Sequence, residues 1–383
     1  MLDRNARVVS PVAVIYDLEA HEPLTETPWD AARVREAIAS IVADAERSIE
    51  NGFWPNHPRD DDEDPPLLEG LTDIYLGAAG MVWALHRLGS SLDLPSLAEG
   101  ALRRYRERPD WGENVPSLLA GESGILLVAG LVGASPDYRE RLRERIVENE
   151  RNPTWELMWG SPGTMLAARV AGLDAEYERS AAVLLAEWDA TDDGIWTQDL
   201  GGRTTQFVGP VHGFAGNVHA LRGFLSDDDL QRRIEDPLRA TAVAEDGLVN
   251  WFPTVGSTEP NRLQWCHGAA GMVTTLGDLM PHDLLAGGAE LTWRAGPLAK
   301  GPGLCHGTAG NGYAFLRAHE LTDDPEWLER ARRFAVHALE QVERARDEHG
   351  QGRFTLFTGD VGAALFVQSC LEVDPRFPTM DVW

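Results

Sequence analysis

Residues 304–315, Leu-Cys-His-Gly-Thr-Ala-Gly-Asn-Gly-Tyr-Ala-Phe, place Cys305 and His306 directly before Gly307-Thr308-Ala309-Gly310. An upstream copy reads Trp265-Cys266-His267, then Gly268-Ala269-Ala270-Gly271. An apolar run follows each. A glycine turn that opens a helix is expected to leave backbone N–H groups free and to point the positive end of the helix dipole at the preceding side chains. That setting favours a thiolate over a thiol. Two thiolates and an imidazole are ligands that Zn²⁺ accepts, and three protein ligands leave one position open for chemistry. The competing reading is a pair of core cysteines. The recurrence of Cys-His-Gly-x-x-Gly weighs against it.

The glycine pair extends beyond these two copies. Gly-x-x-Gly occurs at Gly77–Gly80, Gly121–Gly124, Gly160–Gly163, Gly213–Gly216, Gly268–Gly271, Gly307–Gly310 and Gly359–Gly362. Seven copies spaced 39 to 55 residues apart define a repeat array. Each opens an apolar segment, and amphipathic, charged segments lie between. The clearest of these is 325–346, where Trp327, Leu328, Ala331, Phe334, Ala335, Ala338, Leu339 and Val342 form one stripe. Asp324 offers its N-cap, and Pro325 suits the first turn. Segments 137–149 and 180–189 are weaker versions.

An apolar helix needs cover on several faces, whereas an amphipathic one needs it on a single face. Concentric rings satisfy both. The expected fold is therefore all-α, an α/α toroid with seven inner helices and about seven outer ones, and the glycine turns gathered at one end of the inner barrel. The connections also leave room for loops or short strands, for example near Gly194-Ile195-Trp196 and across 350–357.

Before the repeats, residues 29–50 read as an amphipathic helix carrying Val34, Ile38, Ile41, Val42, Ala45 and Ile49, ended by Asn51-Gly52. Residues 55–66 are a proline-rich acidic loop, read as a solvated segment. The domain expectation is a helical segment and acidic loop over 1–66 packed on a toroid over 67–383.

Aligning the seven motifs on their first glycine localises the chemistry. The residue before it is Leu76, Ala120, Trp159, His212, His267, His306 and Thr358. One position earlier stand Tyr75, Leu119, Met158, Val211, Cys266, Cys305 and Phe357. Read this way, polar chemistry is confined to the fourth, fifth and sixth repeats. Neighbouring repeats are neighbours in space, so His212, Cys266, His267, Cys305 and His306 are expected to meet at the barrel mouth. Two cysteines and three histidines exceed a three-ligand site, which leaves histidines for acid–base work or for orienting substrate. Cys370, the third cysteine, lies deep in the last apolar segment and reads as core.

Composition excludes several classes. A net charge of −27 opposes a nucleic-acid-binding surface. No apolar run approaches a membrane span, and the first residues lack the layout of a secretion signal. Three cysteines do not make a disulfide framework. These features point to a cytoplasmic protein. Lys300 is the only lysine in a strongly acidic chain, which fits either adaptation to high salt or a GC-rich genome.

The motifs WCHGAAG at 265–271, CHGTAGNGYAFL at 305–316 and HGFAG at 212–216 resemble the lanthionine synthetase C (LanC) family. The closing segment 356–381 is similar to its LanC-like branch. The resemblance covers the chain from about residue 70 onward. It implies an α/α toroid and a zinc ion bound by Cys266, Cys305 and His306. It also implies a catalytic acid or base at His212 and an arginine at Arg262. The cyclases of the family carry aspartate where this chain has Glu156, and many carry tyrosine where it has His267. Glu156 and His267 are thus further site candidates.

The implied reaction is addition of a zinc-activated thiol to dehydroalanine or dehydrobutyrine in a peptide or protein, giving a thioether. The thiol is a peptide cysteine in cyclases, and glutathione or a related small thiol in the LanC-like branch. A non-catalytic sensor or adaptor that binds zinc and a thiol is the alternative. A carbohydrate-active α/α barrel would instead need paired carboxylates at the mouth.

Overall fold

The computed structural model describes residues 15–60, 70–257 and 262–383. Seven helices begin immediately after the first glycine of a Gly-x-x-Gly: α2 (Ala78–Arg87), α4 (Glu122–Leu131), α6 (Ser161–Ala171), α8 (Phe214–Ala220), α10 (Ala269–Leu276), α12 (Thr308–Thr322) and α14 (Asp360–Glu372). Each packs against the next, and α14 packs back on α2, so the seven close a ring. Seven others alternate with them: α1 (Ala31–Arg47), α3 (Leu94–Glu107), α5 (Tyr138–Asn149), α7 (Asp174–Asp189), α9 (Asp227–Thr241), α11 (His282–Ala295) and α13 (Pro325–His349). The molecule is a helical toroid.

The division follows from side-chain pattern. In α4, every residue from Glu122 to Ala129 is buried, as a helix covered on all sides requires. In α13 the buried residues include Ala331, Phe334, Ala335, Ala338, Leu339 and Val342, the stripe read from the sequence. Asp324 caps α13 through the Glu326 N–H, and Gly350 ends it in the left-handed conformation. Helix α1 is capped by Asp30 and lies against α14. None of the described helices is long and apolar enough to cross a membrane.

The second glycine of each motif has a steric reason. A Cβ on Gly271 would lie 1.7 Å from the Trp265 carbonyl oxygen, and one on Gly310 would lie 1.8 Å from that of Leu304. The chain entering each inner helix is folded so tightly against the helix's first turn that only hydrogen fits there.

Two antiparallel hairpins sit in the long connections on either side of His212. One is β1 (Gln198–Asp199) with β2 (Thr204–Thr205); the other is β3 (Ala242–Glu245) with β4 (Leu248–Trp251). Asp246 and Gly247, both at positive φ, make the two-residue turn of the second. The first lies just beyond Gly194-Ile195-Trp196, where the sequence leaves room for a loop or a short strand; the second occupies the next long connection. No ladder forms over 350–357, where Gly350 caps α13 and the chain then enters the α14 turn.

Backbone bonds also link the glycine turns to one another. The N–H groups of Cys266, Cys305, Phe357 and Tyr75 donate in turn to the carbonyls of Cys305, Phe357, Tyr75 and Leu119, at 3.1, 2.9, 3.3 and 3.0 Å. Leu157 N–H donates to Val211 at 2.9 Å. Residues 374–383 pack onto the inner helices and the turn before α10. Phe377 stacks on Trp265 at 4.1 Å, Asp381 pairs with Arg317, and Trp383 meets Trp83.

Candidate metal centre and its acid–base neighbour

Cys266, Cys305 and His306 stand on consecutive turns, before α10 and α12. Their donor atoms all lie within 4.8 Å of one another. Both cysteines are buried and His306 is half-buried, so the group opens on the imidazole side. Two thiols and an imidazole at this spacing suit a soft or borderline divalent cation. The thiol of Cys370 is buried inside α14, where burial pushes its pKa up.

The two thiols differ. Burial opposes ionisation of Cys266, but hydrogen bonds from Cys305 and His306 hold its thiol well below the ordinary range. Cys305, donating to Cys266 and buried beside it, is pushed well above. Two further donors converge here. Gln264 Nε2 lies 2.9 Å from Cys266 Sγ, and the Tyr75 hydroxyl donates to Cys305.

The expectation of free backbone N–H groups near the thiols is not met in the first turn of α12, and at α10 the first of them is likewise taken. Those of Thr308, Ala309 and Gly310 donate to the carbonyls of Gly301, Pro302 and Gly303. That of Ala269 donates to Asn250 Oδ1 at 2.8 Å. The tight fold that demands the glycines consumes the helix's first donors, and side chains polarise the sulfurs instead.

His212 is half-buried, and its Nδ1 lies 2.9 Å from Oε2 of Glu156. Glu156 is fully buried and also accepts the N–H groups of Met158 at 3.1 Å and Trp159 at 2.5 Å. A carboxylate held by its own turn therefore orients the imidazole. Burial alone would depress the His212 pKa; the hydrogen bond and charge of Glu156, with the charge of Cys266, outweigh it and raise the value. His267 stacks on His212, with ring centroids 5.5 Å apart, and Phe207 packs on both rings. Burial pushes the His267 pKa down; Cys266 opposes this, and the charges of His212, Arg262 and His306 reinforce it. Arg262 is exposed at the rim.

The structure thus gathers the five residues aligned by repeat register and adds Glu156 from the third repeat. Tyr75 and Gln264 escaped the sequence reading. Tyr75 occupies the register position of the two cysteines in the first repeat, so the confinement of polar chemistry to three repeats is corrected. That shared position was the available signal. Gln264 has none beyond its closeness to Cys266 in the chain.

A family model described as lanthionine synthetase C-like protein matches residues 69–382. The chain belongs to that family. Two curated relatives illustrate the range of similarity. One is the Danio rerio protein named glutathione S-transferase LANCL1, 24% identical over 392 residues, covering 90% of this chain and 91% of that protein. The other is the LanC-like protein GCL1 of Arabidopsis thaliana, 33% identical over 201 residues, covering 46% of this chain and 44% of that protein. For a lanthionine synthetase C-like chain, a helical toroid is the expected fold.

Proposed function

We propose that the protein is a zinc-dependent enzyme that adds a small thiol such as glutathione to dehydroalanine or dehydrobutyrine in a peptide or protein. The observation that carries this reading is the adjacency of a Cys₂His donor set and a carboxylate-oriented histidine at one barrel mouth. The name of the Danio rerio relative supports glutathione as the thiol. Zinc held by Cys266, Cys305 and His306 would supply the Lewis acidity that keeps an incoming thiol deprotonated at neutral pH. The protein would work in the cytoplasm, where such thiols stay reduced.

The remaining steps fall to the chain's own residues. The thiol sulfur bonds to Cβ of the alkene, the π pair moves onto Cα and its carbonyl, and the thiol's proton leaves to solvent. His212, protonated and aimed by Glu156, delivers a proton to Cα and completes the thioether. Arg262, exposed beside them, orients a substrate carboxylate or offsets the developing enolate charge. His267 and Phe207 hold the His212 ring in place from the side.

The test is incubation of the zinc-loaded protein with glutathione and a dehydroalanine peptide, followed by mass spectrometry. Formation of the glutathione adduct above the uncatalysed rate is expected. Zinc and thiol binding without turnover would replace the enzyme reading with that of a sensor or adaptor.

A further inference from the structure

The turn carrying Glu156 is held in an uncommon backbone conformation. Trp155 has φ +38°, left-handed for a bulky aromatic residue. Such a conformation persists only where its surroundings over-determine it, and it clusters at functional sites. Here the surroundings are two buried amides. Asn217 Nδ2 donates to the Trp155 carbonyl at 2.8 Å, and Gln198 Nε2 donates to the same oxygen at 3.3 Å. Both side chains are fully buried.

Gln198 does more than hold that carbonyl. Its Oε1 accepts the N–H of Phe207 at 2.8 Å. The Phe207 ring is the one packed against His212 and His267. One glutamine therefore ties together the two walls of the His212 pocket: the turn that presents Glu156, and the segment that presents Phe207. The β1–β2 hairpin supplies its anchorage, since Gln198 pairs with Thr205 and Asp199 N–H donates to the Pro153 carbonyl at 2.9 Å. This gives the hairpin a purpose that neither the helical rings nor the metal donors explain.

We infer that Gln198 is a positioning residue for His212, acting through the Trp155 carbonyl on Glu156 and through the Phe207 N–H on the ring that flanks the imidazole. The inference rests on the reading of His212 as proton donor. Gln198 touches neither His212 nor the metal donors, so its loss should loosen the imidazole without disturbing metal or thiol binding.

The test uses zinc-loaded protein labelled with ¹⁵N-histidine. The Nδ1–H proton of His212, assigned by its loss in His212→Asn, should be hydrogen-bonded and slow to exchange in the native protein. Gln198→Met keeps the volume and removes both hydrogen bonds. It should speed that exchange at least tenfold and lower the thioether-forming rate about tenfold, with zinc content and thiol KM unchanged. If that variant does not fold, Gln198→Glu retains the acceptor toward Phe207, loses the donor to Trp155, and is read the same way. Unchanged Nδ1–H exchange in the folded variant overturns the inference. Should the native protein form no thioether at all, the functional reading fails, and the proton signal still decides whether Gln198 positions His212.

Discussion

The turns before α10 and α12 share the sequence Cys-His-Gly-x-x-Gly, yet their histidines serve different neighbours. At the first turn Gly268 takes φ +114°, and Gln264 and His267 exchange both backbone hydrogen bonds. His267 is thereby turned to stack on His212. At the second, Gly307 is extended at φ −139°, and His306 joins the two sulfurs. A six-residue motif thus presents its cysteine alike in both copies and its histidine oppositely. The teaching is that a motif specifies which atoms are available, while the backbone around it specifies whom they meet.

The sharpest way to break this comparison is to remove each histidine in turn. His306→Ala is expected to lose most of its zinc, as is Cys305→Ala, and activity with it; His267→Ala and the core variant Cys370→Ala should keep about one zinc per chain after dialysis. Metal analysis decides the point, together with cobalt substitution to look for a thiol-dependent spectral change. Equal loss from both histidine variants, with no spectral response to thiol, would mean that the two turns are equivalent and the site is closed.

The next effect separates the metal from the proton. His212→Ala should retain zinc and thiol binding and lose about 10²–10⁴-fold in the thioether-forming step, read by single-turnover kinetics. A variant that loses zinc in parallel would merge the two halves of the site.

A smaller effect concerns what polarises each sulfur. Tyr75→Phe removes the donor to Cys305, and Gln264→Leu removes the donor to Cys266. Each is expected to weaken zinc binding by about 10-fold in competition with a chelator, the usual penalty for losing an outer partner of a ligand. A response from only one of them would show that one cysteine dominates the metal's affinity.

The smallest expected change is in pH dependence. The groups that face His212 are Glu156 from the α6 turn, with Cys266 and His267 from the α10 turn and Arg262 behind them. Because Glu156 raises the pKa of His212, the imidazolium persists to higher pH, and activity should fall as pH rises through that raised value. Glu156→Gln removes the raising charge, so the basic limb of the rate profile should move to lower pH. A limb that does not move would assign the titration to another group.

The toroid was legible because its construction is repetitive. Seven glycine pairs recur at the same tight entry, where a Cβ would strike a carbonyl, and register alone then brought His212 to the sulfurs. The Glu156–His212 pairing was less accessible: the two are 56 residues apart, and Glu156 is marked by the family resemblance alone, not by repeat register. Tyr75 was overlooked because an aromatic ring before a glycine turn reads as core, and only its hydroxyl reaches Cys305. The consumption of the helix N–H groups was misjudged because it depends on the path of the preceding loop. The position of α1 against α14 joins opposite ends of the chain, a contact for which local pattern carries no signal. Of the acidic loop, residues 61–66 lie outside the described residues, while Asp60 is held by Arg353 and Thr358.

The hydrogen bonds that run from Cys266 through Cys305, Phe357 and Tyr75 to Leu119 have one further consequence. Every link is made by peptide groups alone, so the series of bonds forms whatever side chain stands at each of its five stations. Thiol, phenol, phenyl and isobutyl groups occupy equivalent posts here without altering the linkage. A protein built this way can exchange one chemistry for another by single substitutions at the mouth, leaving the architecture that folds it untouched. The five linked stations are, in effect, interchangeable sockets, and the present occupants are one setting among those this backbone would tolerate.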